Sequence, residues 1–174
     1  MESNTKTLDD SRVLDHLQRM STALGNADQP AAAFAALDRC LAGTVGHKLF
    51  TVLMLDLDAD LCQRYYSSLP DAYPVGGTKP IVRSDAFFHQ IVTDGQPRLC
   101  RDYDDVQRAF FDHALIRSLG CESAINYPVR WAGQTIGSLN LLHERAWYDA
   151  DDFATIALFA SLAIAPMLKV IGRV

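Results

Sequence analysis

Residues 120–147 read GCESAINYPVRWAGQTIGSLNLLHERAW, and their pattern decides the fold. Two β-rich runs, residues 123–130 and 134–142, flank the turn residues Trp131-Ala132-Gly133, which predicts an antiparallel hairpin. Directly after it, Tyr148-Asp149-Ala150-Asp151-Asp152 is an acidic helix start, and a long apolar helix is expected over residues 149–171. Pro166 should kink or weaken the turn before it, since it has no N–H to give.

Working outward from the hairpin, a first helix is expected over residues 10–24, with Val13, Leu17, Met20 and Leu24 at helical spacing and Gly25 as its stop. Asp9, Asp10 and Ser11 suit its positive end. Asp28-Gln29-Pro30 announces a second helix carrying Phe34, Leu37 and Leu41, which ends at Gly43. Residues 49–56 are almost continuously apolar, as in a central strand, and pair with residues 61–68 across Leu57-Asp58-Ala59-Asp60. Residues 69–80 hold three prolines and two glycines and read as loop. Ser84 is expected to cap a short helix with Phe87, Phe88, Ile91 and Val92, ended by Gly95. Residues 97–100 form an edge strand because of Pro97, and a fourth helix spans residues 104–119. This order gives an α+β fold with a central antiparallel sheet: a flexible arm at residues 1–8, then a single domain over residues 9–172.

At 174 residues the chain is one domain of ordinary size. A net charge of −5 leaves no basic field to hold nucleic acid or an anionic membrane. The polar start MESNTKTLDDSR is no secretory signal, and no apolar run reaches the roughly eighteen residues of a membrane span. The expected location is the cytoplasm. Cys40, Cys62, Cys100 and Cys121 include no CxxC pair and read as free thiols.

The hairpin with its strand ending Pro128-Val129-Arg130, its second strand carrying Ile136-Gly137-Ser138-Leu139-Asn140-Leu141, and the capped helix that follows resemble the C-terminal half of a GAF domain. A mid-domain passage is similar too: Thr93-Asp94-Gly95-Gln96-Pro97-Arg98-Leu99 followed by Asp102. The resemblance runs from about residue 9 to 170. It implies a sensory or regulatory module with terminal helices on one face of the sheet and ligand-side helices on the other. Three branches of that family carry diagnostic residues. Free methionine-(R)-sulfoxide reductases use a cysteine beside a Gly-x-Cys-Gly helix start, where this chain has Val82-Arg83-Ser84-Asp85, and Cys100 and Cys121 lie outside that pattern. Bilin carriers attach their chromophore to a cysteine that residues 109–114 lack, so no covalent bilin is expected. The cyclic-nucleotide signature has no clear copy.

Other chemical motifs fail on spacing. Asp56, Asp58 and Asp60 open like a calcium loop, but Leu61 stands where glycine is needed and Ser67 where a bidentate glutamate is needed. They read as turn carboxylates. His143-Glu144 is followed by Trp147 rather than a second histidine. His16, His47, His89, His113 and His143 share no ligand spacing, so no metal is expected; His89 and His113 are the pair that border a common cavity.

What remains is a small-molecule pocket. Alternation sets Ala124, Asn126 and Pro128 on one face of the first hairpin strand, and Ile136, Ser138, Asn140 and Leu142 on one face of the second. With the aromatic third and fourth helices, the expected ligand residues are Tyr66, Phe87, Phe88, Phe110, Phe111, His113, Asn126, Ser138 and Asn140. Three functions stay open: a non-catalytic sensor of an unidentified small molecule, an enzyme resembling the free methionine-(R)-sulfoxide reductases that uses cysteine thiols, or a ligand-free dimerisation or interaction module. The last helix is apolar on more than one face. A homodimer seam is therefore expected at Val13, Leu17, Met20, Ile156, Phe159, Ala163 and Met167. Since 174 residues leave no room for an output domain beside this one, a signal is expected to pass to a second copy or another protein.

Overall fold

The computed structural model describes residues 10–172; the expected arm at residues 1–8 and Asp9 lie outside them. Helices α1 (Asp10–Leu24) and α2 (Ala31–Thr44) lead into strands β1 (Leu49–Asp56), β2 (Leu61–Ser67) and β3 (Thr78–Pro80). A π-helix (Phe88–Thr93), strand β4 (Arg98–Cys100) and helices α3 (Tyr103–Ala109) and α4 (His113–Ser118) follow. The hairpin β5 (Ser123–Trp131) and β6 (Gln134–His143) and helices α5 (Asp152–Leu162) and α6 (Ile164–Val170) complete it. The six strands make one antiparallel sheet in the order β3-β2-β1-β6-β5-β4. The α+β architecture read from the sequence, a central antiparallel sheet between two helical layers, is the one observed.

Each face of the sheet has its own core. On one, α1, α2, α5 and α6 enclose Phe34, Leu37, Phe50, Val52, Ile125, Leu139, Leu141 and Phe159. On the other, α3 and α4 cover Leu49, Val106, Ile116, Ala124 and Leu142. The hairpin turns through Ala132 and Gly133, both at positive φ (49° and 81°), a primed turn whose twist matches paired strands. Beyond the hairpin Trp147 stacks on His143 with ring centroids 3.7 Å apart, and its indole N–H donates to the Val45 carbonyl at 3.1 Å.

Several expectations are corrected. The stretch expected as loop contains β3, which closes the β2 edge by pairing Lys79 with Cys62. Ser84 caps nothing; Asp85 does that work, accepting from the Phe88 N–H at 2.7 Å, and the helix that follows is wound as a π-helix. The helix expected over 104–119 breaks at Phe110, whose extended backbone (φ −127°, ψ 124°) swings the ring toward the sheet. The last helix begins at Asp152, whose carboxylate accepts from the Asp149 N–H at 3.1 Å, and breaks at Ala163 with a bend of 48°. Pro166 cannot return a hydrogen bond to Leu162, and this is the physical reason for the break. The register shift between Val129 and Arg130 reverses the alternation beyond it. Ile136 therefore joins the helix-side core, and Thr135 turns to the other face, where its hydroxyl meets the Ile91 and Val92 carbonyls.

The dimer seam also needs correction. Met20, Ile156, Phe159, Ala163 and Met167 are wholly enclosed within the chain, and Val13 is buried. Leu17 packs on the same cluster, half-buried. The sheet face takes up most of the apolar stripes of the terminal helices. The exposed leucines of that layer are Leu14 and Leu158.

Candidate ligand cavity

A cavity of about 380 Å³ lies between the second sheet face and the segments 79–87 and 109–112. Its floor is built from β1, β6, β5 and β4, which register Thr51 opposite Asn140, Asn140 opposite Asn126, and Asn126 opposite Arg98. This row of cross-strand neighbours becomes one hydrogen-bonded chain. Arg98 Nε donates to Asn126 Oδ1 (2.9 Å), Asn126 Nδ2 to Asn140 Oδ1 (2.7 Å), and Asn140 Nδ2 to Thr51 Oγ1 (3.1 Å). Ser138 Oγ donates to the same Asn140 oxygen at 3.0 Å. Both amides are buried, so each must be oriented by these partners.

The chain ends at a cation. Arg98 carries its guanidinium carbon 5.2 Å and 5.1 Å from the ring centroids of Phe87 and Phe110. Its ion-pair partners do not include any carboxylate within 4 Å among the described residues; burial draws its pKa down, while Cys100 and Asp85 act the other way. At the opposite wall, Tyr73 Oη donates to Asp112 Oδ2 at 2.7 Å, and Arg64 Nη2 lies 3.7 Å from the same oxygen. Burial, then Asp112, holds the Tyr73 phenol above its ordinary pKa. Asp112 Oδ1 is buried with no hydrogen-bond partner among the described residues. Phe111 stands over the rim, 74% exposed, with Lys79 Nζ 3.5 Å from its ring centroid.

The comparisons with known proteins agree with this architecture. The model of the GAF domain family matches residues 20–165. The chain belongs to the GAF domain family. Members of that family are sensory and regulatory domains that bind small ligands. Among solved structures, this GAF domain is similar to that of a phosphoenolpyruvate-protein phosphotransferase from Coxiella burnetii, at 12% identity and a TM-score of 0.73. The match covers 95% of this chain and 99% of that one. The GAF domain of a two-component sensor histidine kinase from Bacillus halodurans matches at 16% identity and a TM-score of 0.66, over 84% and 99% of the two chains. The chromophore-binding domain of a bacteriophytochrome from R. palustris matches at 13% and 0.65, over 94% of this chain and 62% of that one. At such identities the likeness is one of fold. No curated protein matches the sequence.

Within this GAF domain the residues expected to bind ligand divide. Phe87, Phe110, Phe111, Asn126 and Asn140 line the cavity. Ser138 lies beneath Asn140, wholly buried. Tyr66 is on the opposite face of the sheet, where its hydroxyl donates to Asp38 at 2.7 Å and Asp38 also meets His47 at 3.1 Å. Phe88 turns away toward the Arg83 guanidinium, 5.3 Å from its ring centroid. His113 pairs with the Tyr103 hydroxyl at 2.8 Å, outside the cavity lining. His89 is exposed on the π-helix, so the two histidines do not share a cavity wall. Asp56, the first of the calcium-like aspartates, accepts from the Asp58 and Ala59 N–H groups, and Asp60 pairs with Arg83. Arg98, Arg64, Tyr73, Lys79 and Asp112 were not among the expected site residues. Arg98 carried one signal: it opens a proline-flanked edge strand whose register could be set against Asn126.

The four thiols are free. Burial pushes each above its ordinary pKa, Cys121 up to about 11. No helix among the described residues is long and apolar enough to cross a membrane; α5 and α6 reach that length only as a bent pair.

Proposed function

We propose that this GAF domain is a non-catalytic sensor that binds a small molecule in the cavity above Asn126 and Asn140. The observation that carries this reading is the floor of the cavity. Four polar side chains are locked in one direction by hydrogen bonds, and the row ends in a guanidinium beside the rings of Phe87 and Phe110 in a mainly apolar enclosure. A few fixed polar groups in an apolar concavity are the composition of a ligand site rather than of plain core. Enzyme chemistry through the cysteines has less support, because nucleophilic thiols need a lowered pKa and burial raises all four.

The experiment is a thermal screen against a metabolite panel together with native mass spectrometry of the purified chain. A ligand at a hundredfold excess over its Kd adds about 2.7 kcal/mol, which moves Tm by roughly 5–10 °C for a domain of this size. Ala109→Trp, which fills the cavity from its roof, should abolish that shift. Shifts that persist in the filled variant would relocate the site. A panel that produces none would favour the interaction-module reading.

A further inference from the structure

We infer that the cavity takes a small organic monocarboxylate with a flat apolar body, its carboxylate held by the outer edge of the Arg98 guanidinium. This rests on the reading of the cavity as a ligand site and adds the chemical class of the ligand. Three observations lead to it.

The first is the state of the guanidinium. Nε is committed to Asn126, whereas neither terminal nitrogen has a hydrogen-bond partner among the described residues. The Asn126–Asn140–Thr51 chain fixes the plane of the fork, so it offers a pre-set pair of N–H donors. Two parallel donors in a plane match the two oxygens of a carboxylate.

The second is the charge balance of the walls. Arg64, Lys79 and Arg98 stand against Asp85 and Asp112, which leaves one positive charge. Arg64 is matched with Asp112, and Lys79 lies on the Phe111 ring. Asp85 sits at the exposed rim with its carboxylate on a backbone N–H. Neither Lys79 nor Arg98 has a carboxylate within ion-pair distance among the described residues, and a monoanion neutralises the one net positive charge of the lining. A phosphate group would bring more charge than this wall can match.

The third is the shape of the remainder. Phe87 and Phe110 flank the guanidinium, and Leu53, Ile81, Val82 and Leu142 continue the lining as hydrocarbon. At about 30 Å³ for each water-sized atom, 380 Å³ admits about a dozen heavy atoms. Inorganic anions would leave most of that apolar wall unused.

The test uses matched pairs of fragments, each an acid and its carboxamide: phenylacetate, 3-phenylpropionate, indole-3-acetate and cyclohexylacetate with their amides. Binding is read by ligand-observed NMR on the whole chain and on Arg98→Gln and Arg98→Met. Glutamine keeps a donor for Asn126 while removing the charge, and thermal melts check that both variants fold. The expected result is that acids bind at least tenfold more tightly than their amides, and that both variants bring acid binding down to the amide level. If amides bind as well as acids, or the acids are indifferent to both variants while Ala109→Trp removes them, the carboxylate class is wrong and the cavity reading stands. If no fragment of either kind binds, both readings fall.

Discussion

Gly137 sits mid-strand in β6, where glycine has no conformational reason to be. Its reason is distance: a Cβ there would run into the Leu53 carbonyl oxygen of β1 and the Met167 methyl group of α6. The methyl can yield, but the backbone oxygen cannot. Gly137→Ala is expected to destabilise the chain by about 3 kcal/mol, roughly 10 °C in Tm, and Met167→Ala in the same chain to recover only part of it. Urea denaturation of the two single variants and the double variant measures both statements. At this scale the sequence was half legible. Alternation found Asn126 and Asn140, because period-two patterning is a local property of a strand. It did not find Arg98, Tyr73 or Asp112, because what makes them a site is cross-strand register and a loop folding over the sheet. It misassigned Tyr66 because β2 was read as a partner of β1 without fixing which of its faces meets α2.

Among the elements, the π-helix Phe88–Thr93 leans on a neighbouring strand. Its wide turn is held by Thr135 of β6, whose hydroxyl lies 3.1 Å from the Ile91 carbonyl and 3.0 Å from that of Val92, and accepts from Arg130 Nη1 at 3.1 Å. Thr135→Val removes that clamp while keeping the shape of the side chain. The expected cost is about 1–2 kcal/mol, with hydrogen exchange accelerated over residues 88–95 and unchanged in β1 and β6. Element identity was legible wherever one hydrophobic period ran uninterrupted, as in α1, β1 and the hairpin. Breaks were harder to read. Apolar residues keep their spacing across Phe110–Asp112 and across Ala163, so periodicity joins what the backbone divides. β3 was missed because three residues among prolines and glycines have too little pattern to register.

Across the whole molecule, the interior now explains two responses. Met167 is wholly enclosed against the sheet, so Met167→Glu should unfold the chain rather than separate two copies, visible as loss of the cooperative melt. Leu158→Glu, on the exposed side of α5, should leave the melt intact, and sizing of that variant tests pairing through the outer helical face. The second response is to alkali. Burial raises the four thiols and the phenols of Tyr66, Tyr73, Tyr127 and Tyr148, so the folded state holds protons that the unfolded chain releases. Stability from a raised acid is complete below its unfolded pKa and is lost as pH climbs toward the folded one. Melting temperature should therefore decline from about pH 9 upward. Cys121 alone contributes on the order of 2 kcal/mol between pH 9 and 11, and Cys121→Ala should flatten that part of the curve.

The stacked pair His143–Trp147 has an optical consequence. The chain has two tryptophans, and the other, Trp131, is half exposed at the hairpin tip. Neither lines the cavity. Intrinsic emission is thus a sum of a shielded indole lying on an imidazole 3.7 Å away and a solvated indole open to soluble quenchers. Acrylamide should extinguish the solvated component first. A ligand in the cavity should barely alter it, so the colour of the emission gauges the integrity of the sheet independently of occupancy.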